Sequence, residues 1–467
     1  MQKFYTPTRF FALLGLFMLL MFNACKPVDP PIPPPPTAKD FDAQAMIAWN
    51  DVFLHIERYA PGFRPGPAPR AAAYIGLACY EACLNGMPEF KSIKNNYPQL
   101  NMTSPDANYP YHYPTLVNTI YSSLLTNFFA SVKDTPHADV LKEIETLKNT
   151  LDQKYKGEVD VATFEKSQKY GELVAQEIWL FAKKDDVAHD HNLNPFEDRV
   201  GKYKQVYVAG KWVPTFPGPS KPMFPDWGYA MRFAISSDDR LCAPPIEYDE
   251  ADTSQFYAQA REIYNVSKKM TADQRWLAFF WSDDLVNLTF SPGPRWLALE
   301  NQALVATKSD LQTAIYANAK VGLAINDAAV ACWFSKYTYN VERPESYIKR
   351  IINNNWEPLL YNPLTNATGV TPAFPAYPSG HSTMGAAAAE VLTDIFGLYV
   401  PLTDRCHEGR VDFEGAAPRS YNSFYEMAEE NAYSRIPLGV HFRMDCEEGV
   451  NLGYRVGRKV NQLGWKK

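Results

Sequence analysis

Lysine- and arginine-rich runs are missing from this chain of 467 residues, and its formal net charge is −6. Without a basic face nothing neutralises a phosphate backbone, which excludes nucleic acid as a partner class. No segment recurs at a fixed period, so solenoids and propellers are excluded as well. Beyond residue 25 no apolar run approaches the roughly 20 residues that a membrane-crossing helix needs. Cysteine is sparse: there are seven, none at zinc-ligand spacing, and no zinc centre is expected. What is present is a globular composition, 46% hydrophobic and 21% charged, ample for one large core or two adjoining ones.

The first residues stand apart from that body. Lys3 and Arg9 precede an apolar run, FFALLGLFMLLMF, that ends in NAC with Cys25. The run is short for a bilayer span and reads as an export signal over residues 1–24. It resembles signals of the bacterial lipoprotein kind, which implies cleavage after Ala24 and a lipid on Cys25. Residues 25–40 include the tract KPVDPPIPPPPTAK, which favours an extended polyproline II spacer. The expectation is an exported protein anchored to the bacterial envelope, at the periplasmic or outer-membrane surface, with a folded body over 41–467. An oxidising compartment would allow pairing among the six later cysteines, and their connectivity is open. Cys79 and Cys83, one helical turn apart, read as a buried helix face.

Within the body the apolar spacing is helical, as in HADVLKEIETLKNTLDQKY, TFEKSQKYGELVAQEIWLFAKK and TAIYANAKVGLAINDAAVACWF. Residues from about 186 to 250 are rich in proline, glycine and aromatics and read as irregular connections between two helical halves, with KQVYVAGKWV as a short strand piece. The predicted fold class is all-α, helical bundles with long irregular connections. The HDH run at 189–191 reads as an exposed polar loop.

Three segments carry chemistry. Lys336 and Arg343 are seven residues apart, which on one helix would align both cations, although Pro344 disfavours helix at Arg343. In PSGH, Ser379 and Gly380 stand where a helix begins, and the unpaired N–H groups of a first turn favour an anion. In the third, Pro437 suits the first turn of a helix, which would place Ser434 and Arg435 in the approach loop and His441 and Asp445 on one face. Singly, each has an ordinary reading: cations solvated or paired with Glu342 or Glu345, a capped turn, a surface His–Asp pair. Together, three cations, a helix N-terminus and two histidines make a coherent set for holding a tetrahedral oxyanion.

Lys336-x6-Arg343-Pro344, Pro378-Ser379-Gly380-His381 and Ser434-Arg435-x5-His441-x3-Asp445 resemble the three-part signature of the type 2 phosphatidic acid phosphatase and vanadium-dependent haloperoxidase superfamily. The resemblance spans residues 336–445. It implies that Lys336, Arg343, Ser379, Gly380 and Arg435 hold the oxygens of vanadate or phosphate. His441 is then the vanadium ligand or the phosphoryl-accepting nucleophile, balanced by Asp445, and His381 is the acid–base group. The missing apolar spans exclude the family's membrane-embedded lipid phosphatases. Phe374, seven residues before His381, and Trp333, three before Lys336, are similar to the chloroperoxidase branch, in which they would wall a halide pocket. FFWSDD resembles a haloperoxidase segment whose acid orients the acid–base histidine, here Asp284 with Asp283 beside it. The resemblance thus implies a vanadate cofactor with hydrogen peroxide and halide as substrates. An exported acid phosphatase acting on phosphate esters through a phosphohistidine is the alternative.

Overall fold

A helix with no solvent-facing polar side can be stable only inside a protein, and the 29-residue Leu311–Tyr339 is such a helix, buried along nearly its whole length. Asp310 caps its first turn, accepting from the Thr313 N–H at 2.8 Å. Asn340, in the left-handed conformation at φ 53°, ends it. The computed structural model of the protein describes residues 35–467, apart from 108, 216 and 413. The export-signal residues, Cys25 and most of the proline tract lie outside the described residues. Thr37–Lys467 forms one compact unit.

Its helices are α1 (Gln44–Tyr59), α2 (Pro67–Cys83), α3 (Tyr113–Phe128), α4 (Lys142–Tyr155), α5 (Val161–Ala182), α6 (Gln255–Lys268), α7 (Ala272–Phe280), α8 (Arg295–Ala306), α9 (Leu311–Tyr339) and α10 (Pro344–Ile351). After them come α11 (Gly380–Phe396), α12 (Phe424–Leu438) and α13 (Arg443–Asn461). The fold is all-α. Among the described residues the sole strands are β1 (Leu402–Asp404) and β2 (Arg419–Tyr421), paired antiparallel with Leu402 opposite Tyr421.

The largest interfaces join α9 to α2 and α11 to α13, and α9 also packs on α11. All 17 residues of α2 are buried, Cys79 and Cys83 among them. Gly449, Gly453 and Gly457 recur every fourth residue along α13 where it meets α11; a Cβ on Gly453 would lie 2.3 Å from the Thr383 carbonyl oxygen. A side chain there would push away the helix that begins at Ser379. One continuous hydrophobic core runs from Ala38 to Trp465, so the two helical halves expected from the sequence share a single interior.

Among the described residues of 183–254 the helical pieces are short 3-10 turns alone, as the composition of residues from about 186 to 250 suggested. They are nevertheless anchored. The N–H groups of Phe233, Ala234 and Ile235 all donate to the buried carboxylate of Asp327 on α9, and the Tyr337 hydroxyl donates to the Met223 carbonyl at 2.6 Å. Two expectations change here. KQVYVAGKWV forms no strand, since Lys211 alone bridges to Val341. His191 is not in an exposed loop but fully buried, edge-on to Phe224 at 5.1 Å. The six cysteines among the described residues are free thiols, and no helix there is long and apolar enough to cross a membrane.

Candidate functional site

Lys336 lies in the last turn of α9, and Arg343 is the residue that caps α10. They do not share one helix: Asn340 stops the first and Pro344 starts the second, so the chain bends between them. What joins them is a run of carbonyls. Arg343 Nε donates to Phe374 at 3.0 Å, while Lys336 Nζ donates to Pro375 and Ala376, both at 2.8 Å. The stretch leading into PSGH thus aims both cations from its backbone. Arg343 Nη1 reaches the Val440 carbonyl and His441 Nε2 at 2.8 and 3.1 Å, and Nη2 is buried without a partner.

Ser379 is the N-cap of α11, its Oγ accepting from the Ser382 N–H at 3.3 Å. Its own N–H donates to the Asp445 carbonyl, tying this helix start to α13. Gly380 lies under the Trp333 ring; a Cβ would meet it at 3.3 Å. Trp333 and Phe374 pack at 4.8 Å between ring centres, with Lys336 Nζ 5.7 and 5.2 Å from them.

The third segment folds differently from its sequence reading. Ser434 and Arg435 sit in the last turn of α12, with Pro437 inside that turn, and Gly439 at φ 86° ends the helix. Proline in a final turn removes only one ladder bond, and the left-handed glycine after it is the stronger stop signal. His441 therefore lies in the α12–α13 loop and Asp445 in the first turn of α13. Asp445 Oδ2 accepts from the Phe442 N–H at 2.9 Å and stands 3.0 Å from His441 Nδ1. Ser434 Oγ turns back to the Asn431 carbonyl at 2.6 Å, serving the helix rather than the pocket.

His381 Nε2 bonds the Ser282 carbonyl at 2.8 Å, whereas Asp284 Oδ1 is 4.0 Å away. The carboxylate assigned to orient His381 is held instead by Arg435, whose Nη2 reaches Asp284 Oδ2 at 2.7 Å. Asp283 binds neither: it sits at φ 38°, bound to Arg295 at 2.7 Å and to His407 at 3.2 Å. Arg295 continues to Asp404 at 2.6 Å. Arg295, Asp404 and His407 carried no local sequence signal, since none lies within a motif and Asp404 and His407 stand more than 100 residues from Arg295.

Burial governs the electrostatics, because removing charged groups from water favours their neutral forms. Lys336 is pushed down to about 7 by burial, with Arg343 adding to the effect. Arg343 is pushed down to about 10 by burial, opposed by Asp445. Burial and Arg435 bring His381 down to about 4. His441 falls well below the usual histidine range through burial and through Arg343, Lys336 and Arg435. Burial lifts Asp445 to about 7 against the pull of Lys336.

Both imidazoles are therefore neutral at pH 7, and their partners set the tautomers. The Ser282 carbonyl can only accept, so His381 carries its proton on Nε2 and its lone pair on Nδ1. His441 places its N–H on Nδ1, toward Asp445, and accepts from Arg343 at Nε2. The buried cations, with Arg343 Nη2 and Arg435 Nε unpartnered, suit a tetrahedral oxyanion held against the first turn of α11. A cavity of about 570 Å3 opens on this cluster and is lined by His381, His441, Arg435, Asp284, Trp333 and Phe374 among others.

Residues 317–464 match the family model of the VCPO second helical-bundle domain. Vanadium chloroperoxidase of Curvularia inaequalis is 26% identical over 271 residues, 46% of this chain and 44% of that protein. Vanadium-dependent bromoperoxidase of Ascophyllum nodosum is 33% identical over 96 residues, 18% of this chain and 16% of that one. The chain thus matches less than half the length of either curated relative. A solved bacterial vanadium-dependent iodoperoxidase superposes with a TM-score of 0.77 at 28% identity, covering 91% of this chain and 98% of that one. A bacterial vanadium-dependent chloroperoxidase shares the fold, with a TM-score of 0.61 at 14% identity over 88% and 97% of the two chains. With Lys336, Arg343, Arg435, His381 and His441 brought together and these relatives matching around them, residues 317–464 carry the VCPO second helical-bundle domain and the chain resembles the vanadium haloperoxidase and type 2 phosphatidic acid phosphatase superfamily.

Proposed function

We propose that the protein is a vanadate-dependent haloperoxidase, oxidising a halide ion with hydrogen peroxide. The observation that carries this reading is the burial of Lys336, Arg343 and Arg435 close enough to His441 to depress its pKa, with Arg343 donating to His441 Nε2 at 3.1 Å. The likeness to the bacterial iodoperoxidase over nearly both whole chains supports it.

Lys336, Arg343 and Arg435 would hold the vanadate oxygens with Ser379 and Gly380, and His441 Nε2 would bind the vanadium. Bound there, vanadium(V) supplies Lewis-acid activation of peroxide toward halide without changing oxidation state. Asp445 keeps the His441 proton on Nδ1, so that Nε2 retains the lone pair, here turned to Arg343 Nη1, with which it would bind the metal. His381 Nδ1 accepts a proton from incoming peroxide and returns it to the leaving oxygen, while the Ser282 carbonyl fixes the ring. Arg435 is held in place by Asp284. Trp333 and Phe374 exclude water beside Lys336, where a weakly hydrated halide can approach.

The test is an assay of the purified protein, loaded with orthovanadate, for peroxide-dependent halogenation beside phosphate-ester hydrolysis. Halogenation that is lost in His441→Ala supports the reading. Ester hydrolysis without halogenation, or full activity in His441→Ala, overturns it.

Residues 1–24 as an export signal and Cys25 as a lipid attachment point belong to the same proposal, on the strength of the sequence alone. Metabolic labelling with a fatty-acid analogue should mark the protein and fail to mark Cys25→Ser.

A further inference from the structure

The stretch KYKQVYVAGK, residues 202–211, forms no strand and supplies nothing to the pocket around His441. It is nevertheless fixed against the bend that separates Lys336 from Arg343. The Trp212 N–H donates to the Asn340 carbonyl at 2.9 Å, and the Glu342 N–H donates to the Gly210 carbonyl at 3.0 Å. Between this stretch and the last turns of α9 lies a second cavity of about 310 Å3, a size found among small-ligand sites.

One part of its lining is cationic. Lys202, Lys204 and Lys211 supply three ammonium groups, and among the described residues no carboxylate lines the cavity. Lys202 Nζ rests 4.4 Å from the centre of the Tyr229 ring, and Lys211 Nζ donates to the Tyr339 carbonyl at 3.0 Å. Neither contact neutralises a charge, and among the described residues none of the three lysines forms an ion pair. Glu342, the acid of the neighbouring bend, is committed to Arg350 at 2.8 Å. Like charges brought together without a counter-ion repel, and an anion between them relieves the repulsion.

The other part is flat and aromatic. Tyr229 packs edge-on to Phe334 at 5.7 Å, and Tyr203 packs edge-on to Tyr337 at 4.9 Å. Trp333 is the wall shared with the cavity that holds His381 and His441. Its Cζ3 and Cη2 edge rests on Gly380, 3.3 and 3.5 Å from where a Cβ would lie, while Nε1, on the opposite edge of the indole, is buried without a partner. An inorganic anion would leave these rings wet, and a neutral ring would leave the lysines unpaired. A charged head on a planar ring satisfies both.

We infer that this second cavity is a binding site for an aromatic carboxylate, its ring against the aromatic side chains and its carboxylate among Lys202, Lys204 and Lys211. The site lies behind Trp333, and the inference does not depend on the haloperoxidase reading.

The test is a fluorescence titration of the full chain with 2-naphthoate. Beside it run 2-naphthamide, which keeps the ring without the charge, and inorganic phosphate, which keeps charge without the ring. Saturable 2-naphthoate binding is expected, weakening as sodium chloride rises from about 0.05 to 0.5 M because exposed ammonium groups are screened. The amide and phosphate should each bind about tenfold or more weakly than 2-naphthoate. Lys202→Gln combined with Lys204→Gln, both at exposed positions, should weaken 2-naphthoate binding by about tenfold or more. Lys204→Glu alone repeats the measurement if the double variant does not fold. Amide or phosphate binding as tight as that of 2-naphthoate, undiminished binding in the lysine variants, or no saturable binding to the wild-type chain overturns the inference.

Discussion

Arg295 Nη1 stands 2.7 Å from the Asp283 carboxylate, each side chain 1% exposed, and this pair sets the backbone between two residues of the site. Asp283 adopts φ 38°, sparsely populated for any residue with a side chain. The residue before it offers its carbonyl to His381 and the residue after it offers its carboxylate to Arg435. Burial raises the Asp283 carboxyl, but Arg295 and His407 outweigh that and hold it below the usual range. The buried ion pair thus keeps two adjacent acids on different partners, Asp283 on Arg295 and His407 and Asp284 on Arg435.

Arg295→Met should leave Asp283 and Asp404 buried without their shared cation and destabilise the protein by about 3–5 kcal/mol, the range for breaking a buried pair. Arg295→Lys, which keeps the charge but not the fork, should fall between. Urea unfolding checks the order. A wild-type midpoint in Arg295→Met would mean that the network does not hold the segment.

Asp445→Asn should retain the fold and weaken vanadate binding by about 10–100-fold, the usual cost of losing a partner that orients a metal-binding histidine. The observation behind this is the 3.0 Å approach of its Oδ2 to His441 Nδ1. Isothermal titration with orthovanadate reads it without any turnover. Affinity equal to wild type would remove Asp445 from the site's machinery.

Lys336 is charged below about 7 and neutral above, while Asp445 is neutral below about 7 and charged above. Rising pH therefore removes a positive charge and adds a negative one at the same place. Sulfate, a dianion throughout this range, should bind roughly tenfold or more weakly at pH 8 than at pH 6. Lys336→Met should bind it less well at pH 6 and show a flatter profile.

His381 titrates near 4 in the folded protein, against about 6.5 in an unfolded chain. As pH falls below about 6.5 the unfolded state takes up the proton first, so stability declines from there until pH passes about 4. That decline amounts to about 3 kcal/mol for His381 alone. The depressed His441 acts in the same direction. Unfolding midpoints at pH 7.5, 6 and 5 should fall in that order, and His381→Gln should flatten part of the slope.

Local periodicity and local stops make much of the fold legible in the chain's own residues. The buried helix around TAIYANAKVGLAINDAAVACWF, the helix start at Ser379 and the irregular segment beyond residue 183 follow from patterns within a few residues. The misplacement at Pro437 is also local, because proline marks either end of a helix and only Gly439, two residues later, indicates which.

The sequence by itself determined which chemical groups are available, since cations, imidazoles and a helix N-terminus are properties of residue types and short spacings. Tertiary structure alone decided what those groups do to one another. That Phe374, Pro375 and Ala376 turn their carbonyls to Arg343 and Lys336, that Ser282 rather than Asp284 holds His381, and that Asp283 pairs with an arginine twelve residues on depend on distances of a few ångströms between distant segments. Hydrogen bonds and buried charges are that short in range, and no one-dimensional pattern records them.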